Sequence, residues 1–291
     1  MLKTAKCTCC HAVHLTAEMV QTKMPNRGGA HAYMCNHCAN RNEHYHATNN
    51  KNRGTQKANG VHVGTELEVS FNDMHARNIM FEYGLIPTND CSLCGVNTCE
   101  FVTGVQSGLN IASKMVVTIE NLINGGHLEI NDSCGTHFHV SINDMKNEHG
   151  KQVYISYIKR FYHSLFIPLC EAMQANPEAT KKLFGRYFQD DYCKIINQYS
   201  NPDYDRYLFI NVRANSNIEF RLNKFQSAKQ MQNLMKMEVE MVQTIITNFC
   251  EHFNDTPKDT RRYPTQKAYR KHKAQTTAKK LVKLFEKYSR A

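Results

Sequence analysis

Two features of secreted and membrane proteins are missing from this sequence. No apolar run reaches the roughly 20 residues that a transmembrane helix needs. The N-terminal segment Met1–Lys6 also lacks the apolar core of a secretory signal. These absences predict a cytoplasmic protein without a membrane partner. For a protein of viral origin, such as a phage protein, the expected compartment is the host cytoplasm.

The short motifs of several enzyme classes are also missing. The sequence contains no GxxxxGK[ST] phosphate loop, no GxGxxG dinucleotide loop and no serine nucleophile elbow.

Most of the chain lacks a net charge. Of the 291 residues, those before Thr256 carry 24 Lys and Arg against 24 Asp and Glu, whereas the remainder carry 12 against 2. The basic segment 256–291 is expected either to bind a polyanion such as nucleic acid or to be a solvated helix face. From about residue 264 it predicts a helix, and the apolar stripe of this helix is Ala278, Leu281, Val282, Phe285 and Tyr288.

Cysteine, in contrast, is abundant, with 12 residues and no secretory signal, which indicates reduced thiols and metal binding. Two CxxC pairs, separated by 24 residues, lie in the N-terminal 48 residues: Cys7, Cys10, Cys35 and Cys38. Four thiolates in this arrangement predict a structural Zn²⁺ site and a zinc-ribbon-like module over residues 1–48. Free thiols and an iron–sulfur cluster are the alternatives.

A second metal site is a further candidate. It would form if the strands that carry the following cysteines are neighbours: Cys91, Cys94, Cys99 and Cys134. A polar segment without periodicity, residues 46–59, separates the N-terminal module from the main domain and is predicted to be a linker or loop.

Strict alternation of apolar and polar residues over Val61–Phe71 predicts a half-buried strand whose polar side carries Glu66 and Glu68. Two like charges on a strand are unfavourable unless a shared cation compensates them. Residues 134–142 alternate in the same way, with His137 and His139 on the polar side. Residues 217–222 alternate as well, and their polar side carries Glu219 and Arg221.

A sheet built from these three strands would present all six ionisable side chains on one surface. Carboxylates with imidazole suit Mg²⁺ or Mn²⁺, and an arginine beside them suits a phosphate. The alternative is three unrelated solvated faces.

Periodicity elsewhere predicts helices over residues 73–83, 109–122, 152–173, 177–192 and 227–253, with further strands at 127–130 and 205–211. The last strand is expected to form a hairpin with the strand of Glu219, through a turn at 214–216.

The order of these motifs resembles the amidoligase family, within the glutamine synthetase and glutamate–cysteine ligase superfamily of carboxylate–amine ligases. The matching segments are Gly64-Thr-Glu-Leu-Glu68, Asp90-x-Ser-Leu with Cys99-Glu-Phe-Val, Ser133-Cys-Gly-Thr-His-Phe-His-Val and, after Asn211, Asn217-Ile-Glu-Phe-Arg221. The resemblance covers about residues 60–250, so it predicts a catalytic domain over 60–255, between the zinc module and the basic segment.

By this resemblance the fold is α+β, with flanking helices and an antiparallel sheet whose concave face binds ATP and Mg²⁺ or Mn²⁺. The resemblance implies five metal ligands: Glu66, Glu68, Glu100, His137 and Glu219. It also implies that Arg221 stabilises the transferring phosphoryl group and that His139 contacts the nucleotide or phosphate. Arg186 and Arg213 are candidates for contacts with a substrate carboxylate or phosphate.

The activity implied is an ATP-dependent ligation of a small-molecule or peptide carboxylate to an amine through an acyl phosphate. That chemistry needs fixed cations around the phosphates more than it needs a nucleophile. One alternative is a zinc-containing nucleic-acid-binding protein on an inactive ligase-like fold. Another is a phosphotransferase related to the guanidino kinases, whose product would be the phosphorylated substrate.

Overall fold

We describe the protein from a computed structural model. The residues described are 4–6, 13–15, 19–23, 31–35, 61–72, 85–88, 98–103, 109–142, 148–188, 193–213, 217–257 and 261–290.

The N-terminal part contains two antiparallel pairs of short strands. Strand β1 (Thr4–Lys6) pairs with β2 (Val13–Leu15), and β3 (Met19–Lys23) pairs with β4 (His31–Cys35). Cys35 is the last residue of β4, whereas the other three predicted zinc ligands, Cys7, Cys10 and Cys38, lie outside the described residues. The zinc site therefore stays a prediction.

The main domain is organised by a seven-stranded sheet in which every pairing is antiparallel. Its strands are β5 (Val61–Phe71), β6 (Leu85–Thr88), β7 (Thr98–Thr103), β8 (Leu128–Glu129), β9 (Thr136–Ile142), β10 (Ile210–Arg213) and β11 (Asn217–Phe220). The spatial order is β10-β11-β9-β5-β7-β6, and β8 pairs with the end of β5. The three strands predicted from alternation are confirmed, and they are neighbours.

One face of this sheet is apolar and lies in the core. Alternation buries Val63, Leu67 and Val69 of β5 together with Phe138 and Val140 of β9. Helices α1 (Leu109–Asn124) and α5 (Ala228–Ile245) pack against these strands and against each other. Each large apolar side chain buried here contributes about 1.5 to 3 kcal/mol to folding. The opposite face is thereby left for the polar residues of the same strands.

The remaining helices form a layer beyond the sheet. They are α2 (Glu148–Arg160), α3 (Tyr162–Ala175), α4 (Pro177–Phe184) and α6 (Gln266–Ser289). Helix α6 packs on α3, α4 and α5 through a stripe that includes Ala274, Ala278, Leu281 and Phe285. The predicted C-terminal helix and the core of its apolar stripe are confirmed. No helix in the described part of the chain combines the length and apolarity needed to cross a membrane.

Several predicted elements differ from the structure. The single helix predicted over 152–173 is two helices, because the backbone leaves the helical conformation at Phe161, whose ring packs edge-on against Phe249 and Phe253. The predicted strand 205–211 is wrong over most of its length, since residues 206–207 form a turn and β10 begins at Ile210. The helix predicted over 73–83 lies outside the described residues.

The helix predicted over 177–192 is too long, because α4 ends at Phe184. Gly185 follows in the left-handed conformation, with φ of 80°. A Cβ atom at this position would also collide with the backbone carbonyl of Lys224. A glycine is therefore required here both for its dihedral angle and for the close approach of another chain segment.

Candidate metal centre

The register of the central strands collects the ionisable residues on one side of the sheet. His137 lies opposite Glu66, His139 lies opposite both Gly64 and Glu219, and Glu100 lies opposite Glu68. Directly opposed residues of antiparallel strands point to the same face. Four adjacent strands, β11, β9, β5 and β7, therefore place carboxylates and imidazoles on the face that is not covered by α1 and α5.

Two groups of three side chains have ligand atoms close enough to share a metal ion. The first is Glu66, His139 and Glu219, and the second is Glu66, Glu100 and His137. Within each group the ligand atoms lie within 4.8 Å of one another. Glu66 belongs to both groups, so its two carboxylate oxygens could serve two neighbouring ions.

Glu66 is the electrostatic centre of the face. Its two oxygens lie 3.0 Å from Nε2 of His139 and 3.2 Å from Nδ1 of His137. Burial raises the pKa of Glu66, but hydrogen bonds from the two histidines outweigh burial and hold the pKa well below its ordinary value. The pKa of His139 is lowered by burial and raised more strongly by Glu66 and Glu219, so that the net direction is upward. Glu66 is therefore an anion at any physiological pH.

Glu219 is fully buried and bound by two arginines. Its Oε2 accepts a hydrogen bond of 2.6 Å from Nε of Arg213 and one of 3.2 Å from Nδ2 of Asn211, while its Oε1 contacts Nη1 of Arg221. Burial raises the pKa of Glu219, and the charges of Arg221, the two histidines and Arg213 lower it further than burial raises it. Arg221 and Arg213 are thus held beside the metal-ligand groups by the same carboxylate.

Gly135 allows three ionisable side chains to approach one another at the other end of the face. Its backbone N–H donates to Oε2 of Glu68, and a Cβ atom here would collide with Nη2 of Arg186 and lie 3.2 Å from Nε2 of His137. Arg186 is buried and donates to the backbone carbonyls of Arg221 (3.1 Å), Leu222 (3.2 Å) and Asn223 (3.2 Å). Arg186 therefore holds the end of β11 in place.

The predicted site residues divide into three sets. Glu66, Glu100, His137 and Glu219 belong to the two metal-ligand groups, and His139, predicted to contact a nucleotide, also belongs to one of them. Glu68 lies on the same face, but the two groups found among the described residues do not include it. Arg221 and Arg213 border the face through Glu219, whereas Arg186 bonds to main-chain carbonyls.

Sequence reasoning missed Asn211, Gly135 and Tyr207. The Tyr207 ring lies beneath two guanidinium groups, with 4.9 Å from its centroid to Cζ of Arg206 and 5.8 Å to Cζ of Arg221. The Gly-x-His-x-His spacing was the only available signal for Gly135.

Cys134 is buried, its Sγ lies 3.4 Å from Oδ1 of Asn131, and burial raises its thiol pKa. Cys91 and Cys94 lie outside the described residues, so the second cysteine site stays a prediction.

The donor set suits a hard divalent cation with some affinity for nitrogen. Carboxylate oxygens are the preferred ligands of Mg²⁺ and Mn²⁺, and an imidazole in each group favours Mn²⁺ over Mg²⁺.

The chain matches no protein-family model and no curated protein sequence. Among solved structures, a glutamine synthetase from Plasmodium falciparum is similar over 79% of this chain, with a TM-score of 0.36 and 10% identity. The match spans 60% of the length of that synthetase. A structure described as a novel glutamine synthase homolog is similar over 94% of this chain and 83% of its own, with a TM-score of 0.28 and 10% identity.

Proposed function

We propose that this protein is an ATP-dependent carboxylate–amine ligase whose active site is the polar face of the sheet. The substrates are a small-molecule or peptide carboxylate and an amine, and the metal is Mg²⁺ or Mn²⁺. The proposal joins the motif order of the sequence, which resembles the amidoligases, with the arrangement of the same residues in space.

The single observation that supports it most is the pair of metal-ligand groups that share Glu66, with arginines at their edge. Phosphoryl transfer from ATP gathers several negative charges in a small volume, and enzymes stabilise them with divalent metals and arginine. Glu66, Glu100, His137, His139 and Glu219 would hold the metals, which neutralise phosphate charge when bound. If the polar residues of the three strands were simply solvated, Glu219 would be exposed to water, whereas it is fully buried.

The chemistry proceeds in two steps. A carboxylate oxygen of the first substrate attacks the γ-phosphorus of ATP, the bond from that phosphorus to the β,γ-bridging oxygen breaks, and ADP leaves. The amine nitrogen then attacks the acyl carbon, the bond from that carbon to the phosphate oxygen breaks, and the nitrogen loses a proton. Arg221, which Glu219 orients, is positioned to neutralise the transferring phosphoryl group, while the half-exposed Arg213 can contact a substrate carboxylate or phosphate.

Metal binding is the first test, since it needs no knowledge of the substrates. Titration calorimetry with Mn²⁺ should detect two sites in the wild-type protein. Glu66→Gln should weaken both, because Glu66 is the ligand they share. Glu171→Gln removes an exposed carboxylate of α3 and is the matched control, expected to bind as the wild type does. Unchanged Mn²⁺ binding by Glu66→Gln would contradict the metal-face assignment.

Turnover is the second test. A panel of carboxylates and amines, incubated with ATP and Mg²⁺, should give ADP, phosphate and an amide on at least one pair. Arg221→Lys should abolish that reaction, because one ammonium cannot replace a planar guanidinium on a phosphoryl group. Formation of AMP and pyrophosphate would overturn the ligase proposal. A phosphorylated product without amine consumption would favour the phosphotransferase alternative instead.

We also propose the structural Zn²⁺ of residues 1–48. Elemental analysis of the purified protein should find about one zinc per chain, and Cys35→Ser should abolish it while Mn²⁺ binding at the sheet persists. Zinc below half an equivalent in the wild type would contradict this assignment.

A further inference from the structure

Helix α6 carries a row of lysines that the proposed ligase chemistry does not use. Residues 261–290 contain 11 Lys and Arg and one Glu. Four of the lysines, here called the lysine row, are exposed and lie four or eight residues apart: Lys267, Lys271, Lys279 and Lys283. Each step of four residues turns about 40° around the helix axis, so over its length of about 24 Å the row winds roughly 160° around the helix.

No ion pair within the described part of the chain neutralises the lysine row. None of its four members has an ion pair with any residue that the structure describes. Two other lysines of α6 are instead tied to the body, since Lys280 bonds to Asn248 and Lys287 lies 3.0 Å from Glu240. The row is thus a series of exposed charges that winds around the helix and that no described residue neutralises by an ion pair.

An aromatic cluster lies at the N-terminal end of the same helix. The Tyr263 ring is 5.6 Å from that of Tyr269 and 4.9 Å from that of His272, and all three are half-buried. Burial lowers the pKa of His272, and the charges of Arg262, Lys273 and Lys279 lower it further, so the cluster lies within the positive field of the helix. Aromatic rings beside a line of cations are typical of surfaces that stack bases and track a phosphate backbone.

We propose that α6 is a binding surface for single-stranded nucleic acid, with the lysine row contacting phosphates and the aromatic cluster stacking bases. An anionic membrane fits less well, because a helix that binds a bilayer inserts large apolar side chains. Among the described residues the exposed large apolar side chains are Val117, Tyr199 and Tyr204, and none lies on α6. The surface is separate from the metal face, so the two functions can fail independently.

The test uses full-length protein and a fluorescently labelled oligothymidylate of about 15 nucleotides, followed by anisotropy at several KCl concentrations. Four phosphate contacts predict a log–log slope of about −3 for affinity against salt. Replacing all four lysines of the row by Gln should lower affinity more than tenfold and bring the slope close to zero. Mn²⁺ binding should be unchanged in this variant.

The matched control removes the same number of charges elsewhere. Its four lysines are also exposed and are likewise replaced by Gln: Lys181, Lys182, Lys229 and Lys236. This variant should keep the wild-type affinity within about threefold. Equal losses in both variants would overturn the proposal, because the effect would then come from net charge alone.

Aromatic variants test the preference for single strands. Tyr263→Leu should lower affinity about tenfold at an unchanged salt slope, whereas Tyr263→Phe, which keeps the ring, should not. A DNA duplex of the same length that binds as tightly as the oligothymidylate would overturn the proposal. Vesicles of phosphatidylserine and phosphatidylcholine bound in preference to the oligonucleotide would also overturn it.

Discussion

Glu219 on the sheet and Glu238 on α5 are both fully buried, but they lie in opposite surroundings. Glu219 contacts Arg213, Arg221 and Asn211, and these charges keep its pKa below the ordinary value. Neither carboxyl oxygen of Glu238 has a well-aligned hydrogen-bond partner among the described residues, and burial raises its pKa far above the ordinary value, which the nearby Asn223 amide only partly offsets.

Burial alone therefore does not decide whether a carboxyl group is charged. Glu219 remains an anion because two guanidinium groups replace the water it lost, and an anion can serve a metal site. Glu238 lies near the Asn223 amide, and no cation beside it is recorded among the described residues, so burial favours its protonated form. A charged face of the sheet thus coexists with a buried carboxyl group that favours its neutral form.

The largest expected effect comes from removing the anion of Glu219. Glu219→Gln keeps the shape of the side chain but leaves Arg221 buried without its counter-charge, so it should lower the free energy of unfolding by about 3 to 5 kcal/mol. Urea denaturation at neutral pH measures this loss. A loss below about 1 kcal/mol would show that the arginines are well solvated. It would also show that Glu219 and the arginines do not depend on each other as described above.

Glu238→Gln should have its effect mainly on the pH dependence of stability. The folded-state pKa of Glu238 is raised, so the stability associated with its proton is present below the unfolded pKa and is lost as pH rises toward the folded pKa. The wild type should therefore lose about 1.4 kcal/mol per pH unit, relative to Glu238→Gln, between pH 5 and pH 7. Denaturation curves of both proteins at the two pH values measure it, and parallel pH profiles would show that Glu238 is ionised in the folded protein.

Gly135→Ala should disturb the charged end of the polar face. The added methyl group would collide with Arg186, whose three hydrogen bonds to main-chain carbonyls leave it little room to move. We expect a loss of about 2 kcal/mol in the free energy of unfolding, together with weaker Mn²⁺ binding through the displaced His137. Gly126→Ala is not a suitable control, since Gly126 has φ of 73°. The exposed Gly125 is unsuitable as well, because its Cβ would meet His127.

The smallest effect is expected at Glu240, which lies two residues after Glu238 on the same helix. Its carboxylate pairs with Lys287 at 3.0 Å and accepts a hydrogen bond of 2.7 Å from the Tyr288 hydroxyl, but it is 38% exposed. Water therefore replaces most of what Glu240→Gln removes, and the loss should be about 0.5 kcal/mol. A loss as large as that of Glu219→Gln would mean that exposure does not separate the three glutamates.

Local patterns predicted most of the sheet that carries the site. The alternation over 61–71 predicted β5 residue for residue, and the polar positions of β5, β9 and β11 share one face as expected. Period-two alternation is a property of neighbouring residues along the chain, so it can be read without knowing what the strand pairs with. The caps at Ser227 and Thr265 are local for the same reason, since each side chain accepts a hydrogen bond from a backbone N–H three residues later.

Contacts between distant residues were decided by the tertiary structure. The register that places Glu66 against His137, 71 residues away, depends on which strands pair and at what offset. The end of α4 at Gly185 depends on the approach of Lys224. Whether the carboxyl groups of Glu219 and Glu238 are charged depends on which side chains contact them after folding. The sequence by itself therefore determined which residues line each face, while only the folded chain decided which of them meet, because pairing energy is set by neighbours in space and not by neighbours along the chain.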